Sequence, residues 1–256
     1  MNFREEFLDF LGETGVRFEE NELDSFAFPD ANALIRLLPL GDDPSPADGS
    51  LPYPVTVYED YWRRCNQLAK QRILSHIGIF RSVFARKCEV RKLETPLSSA
   101  FFDSYHTYGS ARSKYRYGLY YDGELVAAAS FSAGRPMLRE RTVQSYEWVR
   151  YASLPDCRVA GGMGRLLDAF ISDVHPEEVM SYADLEWSDG AVYRKLGFTE
   201  AGRRSPVDFY VDTSSWKRIS VSKVGNDRTY RDFVADPSRF VKISNMGSLK
   251  YLKRII

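Results

Sequence analysis

The side chains best suited to move a proton in this 256-residue chain are Tyr193, Asp184, His106 and Glu147. A phenol can hand a proton to a departing thiolate when it is held within hydrogen-bond reach; otherwise Tyr193 is a half-buried packing residue. Asp184 ends a strand-like run beside Trp187 and Ser188, a place where open α/β sheets build sites. Alternatively, Asp184 or Ser188 only caps the helix that follows. His106 follows an aromatic helical face and fits a base, a ligand or a hydrogen-bonded structural histidine. Glu147 lies on a strand whose alternation puts 147, 149 and 151 on one face and 148, 150 and 152 on the other. It is a candidate base if its face meets a cleft and a paired surface carboxylate if it does not.

A second kind of chemistry is suggested by Arg158-Val-Ala-Gly-Gly-Met-Gly-Arg165. Gly161, Gly162 and Gly164 form a turn that opens an amphipathic helix, with Leu166, Leu167, Phe170 and Ile171 on its apolar stripe. Glycines let the backbone approach a ligand closely, and the first free N–H groups of a helix favour an anion such as phosphate. Arg158, Met163 and Arg165 complete this candidate binding segment; the plain alternative is a turn that merely punctuates the chain.

Apolar periodicity supplies the elements that must hold these groups. A helix is predicted over 2–14 with Phe3, Phe7, Phe10 and Leu11 inward, followed by short strands at 17–19 and 24–28 and a buried strand at 33–40. Residues 41–54 read as loop, 55–58 as strand, and 60–78 as a helix anchored by Trp62, Leu68, Ile73 and Ile77. Further on, 84–92 reads as a strand and 96–106 as a helix with Leu97, Phe101, Phe102 and Tyr105 inward. Tyr115–Ser132 is a hairpin turning at Asp122-Gly123. Strands at 144–153, 178–184 and 207–211, with helices after the glycine turn and at 188–196, complete the order. A boundary near Ser82 divides the chain into 1–82 and 83–256.

Composition narrows the setting. Hydrophobic residues make up 44% of the chain, enough for a real core. Formal net charge is zero, yet residues 1–85 carry 8 Lys and Arg against 14 Asp and Glu, and the rest carry 27 against 21. After Thr213, Lys217, Arg218, Lys223, Arg228, Arg231, Arg239, Lys242, Lys250, Lys253 and Arg254 stand against Asp227, Asp232 and Asp236. Such a basic stretch suits DNA or is simply a solvated tail. Tyr115, Arg116, Tyr117, Tyr120 and Tyr121 could stack bases or could just form a good strand. The three cysteines suggest neither a disulfide framework nor a metal site, and no apolar run reaches membrane-spanning length. A cytoplasmic protein is expected, with no signal peptide and no membrane partner.

The order of elements, the glycine turn after the third strand of the second half, and Val192-Tyr193-Arg194-Lys195-Leu196-Gly197-Phe198 after the next strand resemble the GNAT acyltransferases. The resemblance covers about residues 86–212, with the glycine motif slipped by one residue. It implies an α/β (α+β) fold with a mixed central sheet and flanking helices. It further implies an acetyl-CoA or other acyl-CoA donor held at Arg158 and 161–165, transfer to an amine, and Tyr193 as proton donor.

Phe84–Arg91, Glu147–Tyr151, Gly161–Leu167 and Ser181–Ser188 also resemble the C-terminal module of phage Hef-like homing endonucleases and the Mom-type DNA-modification proteins. That likeness implies a nucleobase amine in DNA as acceptor, or a non-catalytic nucleic-acid-binding remnant of a mobile-element nuclease. A partner-binding protein of the same shape is a third reading. Glu22-Leu-Asp24 and Val57–Trp62 match the ends of the related nuclease pattern, but Ile35 stands where a metal-binding Glu is expected. Ile cannot coordinate a hard cation. Residues 1–82 are therefore expected to be a small, degenerate restriction-endonuclease-like domain without metal or nuclease activity.

Overall fold

The computed structural model describes residues 2–22, 24–44, 52–221 and 233–255. The chain divides into two compact units. The first comprises 1–77, 183–190 and 203–249; the second comprises 78–182, 191–202 and 250–256. Set beside the expected division at Ser82, two later segments group with the N-terminal part. The reason is burial: Leu185, Val211, Ile243 and Met246 share one apolar cluster with Phe7, Ile35, Val57 and Trp62.

In the first unit, helix α1 (Phe3–Thr14) starts with a capping box between Asn2 and Glu5 and ends at Gly15. Its buried face is Phe3, Phe7, Phe10 and Leu11, as the periodicity requires. Those three phenylalanines surround Trp62 at ring distances of 5.7–5.9 Å. Strands β1 (Glu19–Asn21), β2 (Ser25–Phe28), β3 (Ala33–Leu38) and β4 (Pro54–Tyr58) form a sheet in that order. The β3–β4 pair is parallel. The single helix predicted over 60–78 is instead α2 (Glu59–Arg64) and α3 (Asn66–His76), broken where Cys65 adopts φ −124° and ψ 41°. The break turns Ala69 inward and leaves Leu68 half-buried.

The second unit opens with β5 (Arg81–Phe84) and β6 (Glu89–Lys92), separated by a 3₁₀ turn where one strand was predicted. Helix α4 (Thr95–Tyr105) buries Ser98, Phe101 and Phe102 and leaves Leu97 exposed. Its inward face runs 98, 101, 102, 105, and position 97 lies off that stripe. Strands β7 (Tyr115–Tyr121) and β8 (Glu124–Phe131) make the expected hairpin, with Asp122 at φ 49° and Gly123 at φ 82°. Strand β9 (Arg135–Leu138) has no counterpart in the sequence reading. Strand β10 (Thr142–Ser153), β11 (Cys157–Ala160), helix α5 (Gly162–Val174), β12 (Glu178–Asp184), helix α6 (Ala191–Lys195) and β13 (Thr199–Arg204) follow.

The remaining strands are β14 (Asp208–Asp212), β15 (Lys217–Ser220), β16 (Phe240–Ser244) and β17 (Ser248–Arg254). Strands β15, β14 and β16 form a small antiparallel sheet in the first unit. The main sheet of the second unit runs β13-β17-β12-β10-β8-β7-β6, with β9 paired to β10. It is mixed, because β10 and β12 are parallel while β6, β7, β8 and β10 alternate in direction. The architecture is thus α/β with a mixed central sheet and flanking helices. Among the described residues no helix is long and apolar enough to cross a membrane.

Candidate functional site

Strands β10 and β12 pair only over Ser145–Glu147 and Glu178–Met180, although both continue for several residues. Beyond that point side chains take over. Ser181 Oγ lies 3.1 Å from the Trp148 carbonyl and 2.9 Å from Tyr193 Oη. A carbonyl only accepts, so when the single serine proton goes to Trp148 the phenol donates to the serine. The Tyr193 ring is wedged between Trp148, Phe198 and Tyr251, at 6.2, 5.6 and 5.2 Å. Burial pushes its phenol up from the usual range, so it stays protonated at neutral pH.

The glycine turn lies close by. Gly161 takes φ 78° at the N-cap of α5, and the first bond of that helix runs from Arg165 N to Gly161 O. The amides of Gly162, Met163 and Gly164 precede that bond and point off the helix end. Gly162 has no room for a side chain: a Cβ there would sit 2.8 Å from Tyr151 Oη and 3.0 Å from Val159 Cβ. A Cβ on Gly164 would meet Leu196 at 3.3 Å, which places the first turn of α5 against the helix that carries Tyr193. Ala85, at the end of β5, lies 3.8 Å from the Cβ position of Gly161. The cause is the parallel pairing of β5 with β11, which sets Phe84 beside Ala160. Arg158 and Arg165 are exposed, with the Arg158 guanidinium 5.1 Å from the Phe80 ring.

Glu147 is reached from a different side. The β8–β10 register shifts between Trp148 and Arg150, which leaves Val149 as an extra residue. The bulge overturns the alternation expected for this strand. Trp148 and Tyr151 meet at 6.3 Å on one face, whereas Arg150 donates to Gly109 O at 2.9 Å and Ala152 packs with Phe101 and Phe102 on the other. Glu147 lines a cavity of about 870 Å³ with the first turn of α4, the 110–114 loop, Arg116, Arg135 and the Ser132-Ala133 turn. Burial holds the Arg150 guanidinium below its ordinary value, opposed by the Glu147 charge.

His106 closes α4: its N–H bonds Phe102 O, and its Nδ1 accepts from Tyr108 N at 3.1 Å. That bond fixes the proton on Nε2 and gives the ring a structural task. Asp184 belongs to the first unit, whereas Tyr193, Glu147, His106 and the glycine turn belong to the second. Its carboxylate accepts from Glu186 N at 3.0 Å, and its carbonyl accepts from Trp187 N and Ser188 N, so it shapes its own turn. Sequence reasoning missed Trp148, Ser181 and Tyr251, whose only signal was an aromatic or hydroxyl residue on an apolar strand. It also missed Arg112, Lys114, Arg116 and Arg135 as a group. Their signal was the Ser110-Ala-Arg-Ser-Lys114 run, rich in hydroxyls and cations.

Three of the basic residues after Thr213 are paired with carboxylates within the first unit. Arg218 donates to Asp60 at 2.7 and 3.1 Å and to Glu186 at 2.8 Å; Arg239 pairs with Asp212, and Lys242 with Asp208. In the second unit Lys253 Nζ donates to Leu196 O. Lys223, Arg228 and Arg231, with Asp227 and Asp232, lie outside the described residues, as do 45–51 of the predicted loop. Of the hairpin tyrosines Tyr117 is buried and donates to Asp173, and half-buried Tyr115 meets Phe170 at 5.6 Å; Tyr120 and Tyr121 are half-buried. In the first unit Ile35 is fully buried on β3, and Asp24 pairs with Arg4 at 3.0 Å. Among the described residues no cluster of three or more His, Cys, Asp or Glu could hold a metal ion.

No family model matches the sequence, and no curated protein matches it. Among solved structures the chain is similar to a GNAT family acetyltransferase from Elizabethkingia anophelis with acetyl-CoA bound, at 12% identity and a TM-score of 0.39, covering 66% of this chain and 99% of that one. It is similar to the ribosomal-protein-S18-alanine N-acetyltransferase from Escherichia coli, at 16% identity and a TM-score of 0.39, covering 66% and 94%. A third likeness is to N-acetylglutamate synthase from Neisseria gonorrhoeae complexed with coenzyme A and N-acetyl-glutamate, at 16% identity and 0.38, covering 66% and 35%.

Proposed function

We propose that the second unit is an N-acyltransferase that takes its acyl group from an acyl-CoA. The observation that carries this reading is the end of the β10–β12 ladder beyond Glu147 and Met180, with the first turn of α5 packed against the segment that carries Tyr193. The amides of Gly162, Met163 and Gly164 would hold the pyrophosphate, with Arg158 and Arg165 supplying charge. The thioester would lie along the parting strands. Transfer forms one C–N bond to the acceptor amine and breaks the C–S bond; the amine loses a proton and the thiolate gains one. Tyr193, kept protonated by burial, is the donor to sulfur: its hydroxyl turns from Ser181 Oγ to the thiolate, and the Ser181 hydroxyl turns from the Trp148 carbonyl to donate to the phenolate oxygen. Glu147, facing the cavity, is the carboxylate placed to take the proton from the amine, directly or through a water. His106 and Asp184 have local structural bonds and take no part in this scheme.

A nucleobase amine in DNA is the narrower form of this proposal. A duplex base would have to be flipped out to reach Tyr193 and Glu147. The reading of a non-catalytic nucleic-acid binder leans on the basic residues after Thr213, and three of those are neutralised by buried or half-buried carboxylates.

The test is release of free thiol from acetyl-CoA on mixing with primary amines or single-stranded DNA. Wild-type protein should release thiol with at least one acceptor, and Tyr193→Phe should do so on the order of 10²-fold more slowly while remaining folded. Equal rates would remove the acid role, and no release with any acceptor would remove the transferase reading.

A further inference from the structure

The 870 Å³ cavity on the α4 side of the sheet is lined by Arg112, Lys114, Arg116 and Arg135, with Glu147 as its one carboxylate. No salt bridge to any of the four cations occurs among the described residues, whereas Arg81, Arg91, Arg139 and Arg141 of the same unit each pair with a carboxylate. Arg116 is held by its own loop, with Nη1 2.7 Å from Ser113 O, and its Nε is buried without a hydrogen-bond partner. Leaving a buried guanidinium N–H unmatched is costly, and it persists where a ligand supplies the missing acceptor. Around these charges stand the hydroxyls of Ser99, Ser110 and Ser113, while those of Ser98 and Ser132 donate to the carbonyls of Thr95 and Ala133. The first turn of the 11-residue helix α4, at Thr95 and Ser98, forms one wall.

Four cations against one carboxylate leave an excess of about three positive charges in a space of small-ligand size. A single carboxylate ligand would leave most of that excess unmatched. A phosphate monoester near neutral pH brings close to two negative charges and three acceptor oxygens, and guanidinium forks and hydroxyls are the groups that read them. The walls come from a helix, a loop and a strand turn around a concavity, a shape that takes up a compact end group. We propose that this cavity binds the phosphate of a small phosphomonoester. If the transferase reading holds, the acceptor is then an amine that carries a phosphate, with Glu147 at the rim of the same cavity to receive its proton. The phosphate site itself stands without that reading.

The experiment uses the full chain with no acyl-CoA present. Phosphorus NMR titrations measure binding of inorganic phosphate and of O-phosphoethanolamine, with ethanolamine measured by calorimetry. Both phosphates should bind and ethanolamine should not. Arg112 and Arg135 are exposed and form no salt bridge among the described residues, Arg135 donating to the Met180 thioether at 3.2 Å, so Arg112→Gln/Arg135→Gln should fold normally and weaken both phosphates at least tenfold. Arg141→Gln, which removes a charge paired to Glu177 outside this cavity, should leave binding unchanged. Absence of phosphate binding in the wild type would overturn the proposal, as would equal binding by the double variant. A single-stranded oligonucleotide that binds more tightly than either phosphate, and loses its grip in the double variant, would overturn it in favour of a polymer groove. Loss of acetyl transfer with phosphate binding intact would count against the transferase reading alone.

Discussion

Glu186→Gln should change stability in a way that depends on pH. Glu186 and Asp60 are both nearly fully buried and share one guanidinium, that of Arg218, at 2.7–3.1 Å. Two carboxylates against one cation leave a net buried negative charge, and desolvation pushes the Glu186 carboxyl up to about 7. In the unfolded chain it returns to about 4.5. The folded state therefore holds a proton that the unfolded state has given up between those values. A carboxyl raised on folding adds stability below pH 4.5 that is lost as pH rises through 7. A difference of about 2.5 pH units corresponds to roughly 3 kcal/mol. Gln mimics the protonated acid and does not titrate. Urea unfolding should thus show the wild type and Glu186→Gln nearly equal at pH 4.5, with the variant gaining up to about 3 kcal/mol by pH 8. A variant less stable than wild type at pH 8 would refute the reasoning, because it would mean that the ionised carboxylate earns its place beside Arg218.

Removing the shared cation is the harsher test of the same cluster: Arg218→Met leaves Asp60 and Glu186 buried without a partner and should cost about 3–5 kcal/mol at pH 7 by urea unfolding. A loss below 1 kcal/mol would show that the pair protonates without penalty. Gly162→Ala should cost about 1–3 kcal/mol, because its methyl falls 2.8 Å from Tyr151 Oη; a neutral result would place Tyr151 elsewhere. Tyr193→Phe removes one hydrogen bond to Ser181 and should cost about 1 kcal/mol in stability, so that any large rate effect belongs to chemistry rather than unfolding.

Elements with a strong local rule were legible in the sequence. The stripe of α1, the Asp122-Gly123 hairpin and the glycine turn into α5 are each written in a few adjacent residues. What escaped reading depends on partners far along the chain. Strands β5 and β11 are four residues each and hold together only by pairing with one another, so neither shows a period of its own. The Val149 bulge leaves no mark in the alternation of β10, yet it brings Glu147 and Arg150 to the same side. Ser110–Lys114 read as a connection, and its cations gain meaning only when Arg135 and Glu147 arrive from β9 and β10 to form one cavity. The basic stretch after Thr213 misled for the same reason. Its count was right, but Asp60, Glu186, Asp208 and Asp212, all earlier in the chain, neutralise several of its members.

The central claim is that α5 opens onto the pyrophosphate of an acyl-CoA, and calorimetric titration of the full chain with coenzyme A tests it most directly. Gly164→Asp is the informative partner variant. Its backbone is helical, its Cβ would meet only the flexible end of Leu196 at 3.3 Å, and its carboxylate would add a negative charge to the turn whose amides are proposed to hold phosphate. An acidic residue in the first turn also suits the helix dipole, so folding should be preserved. Wild-type protein should bind coenzyme A, and Gly164→Asp should bind at least tenfold more weakly with an unchanged unfolding midpoint. Coenzyme A that binds both proteins equally, or neither, would contradict the account.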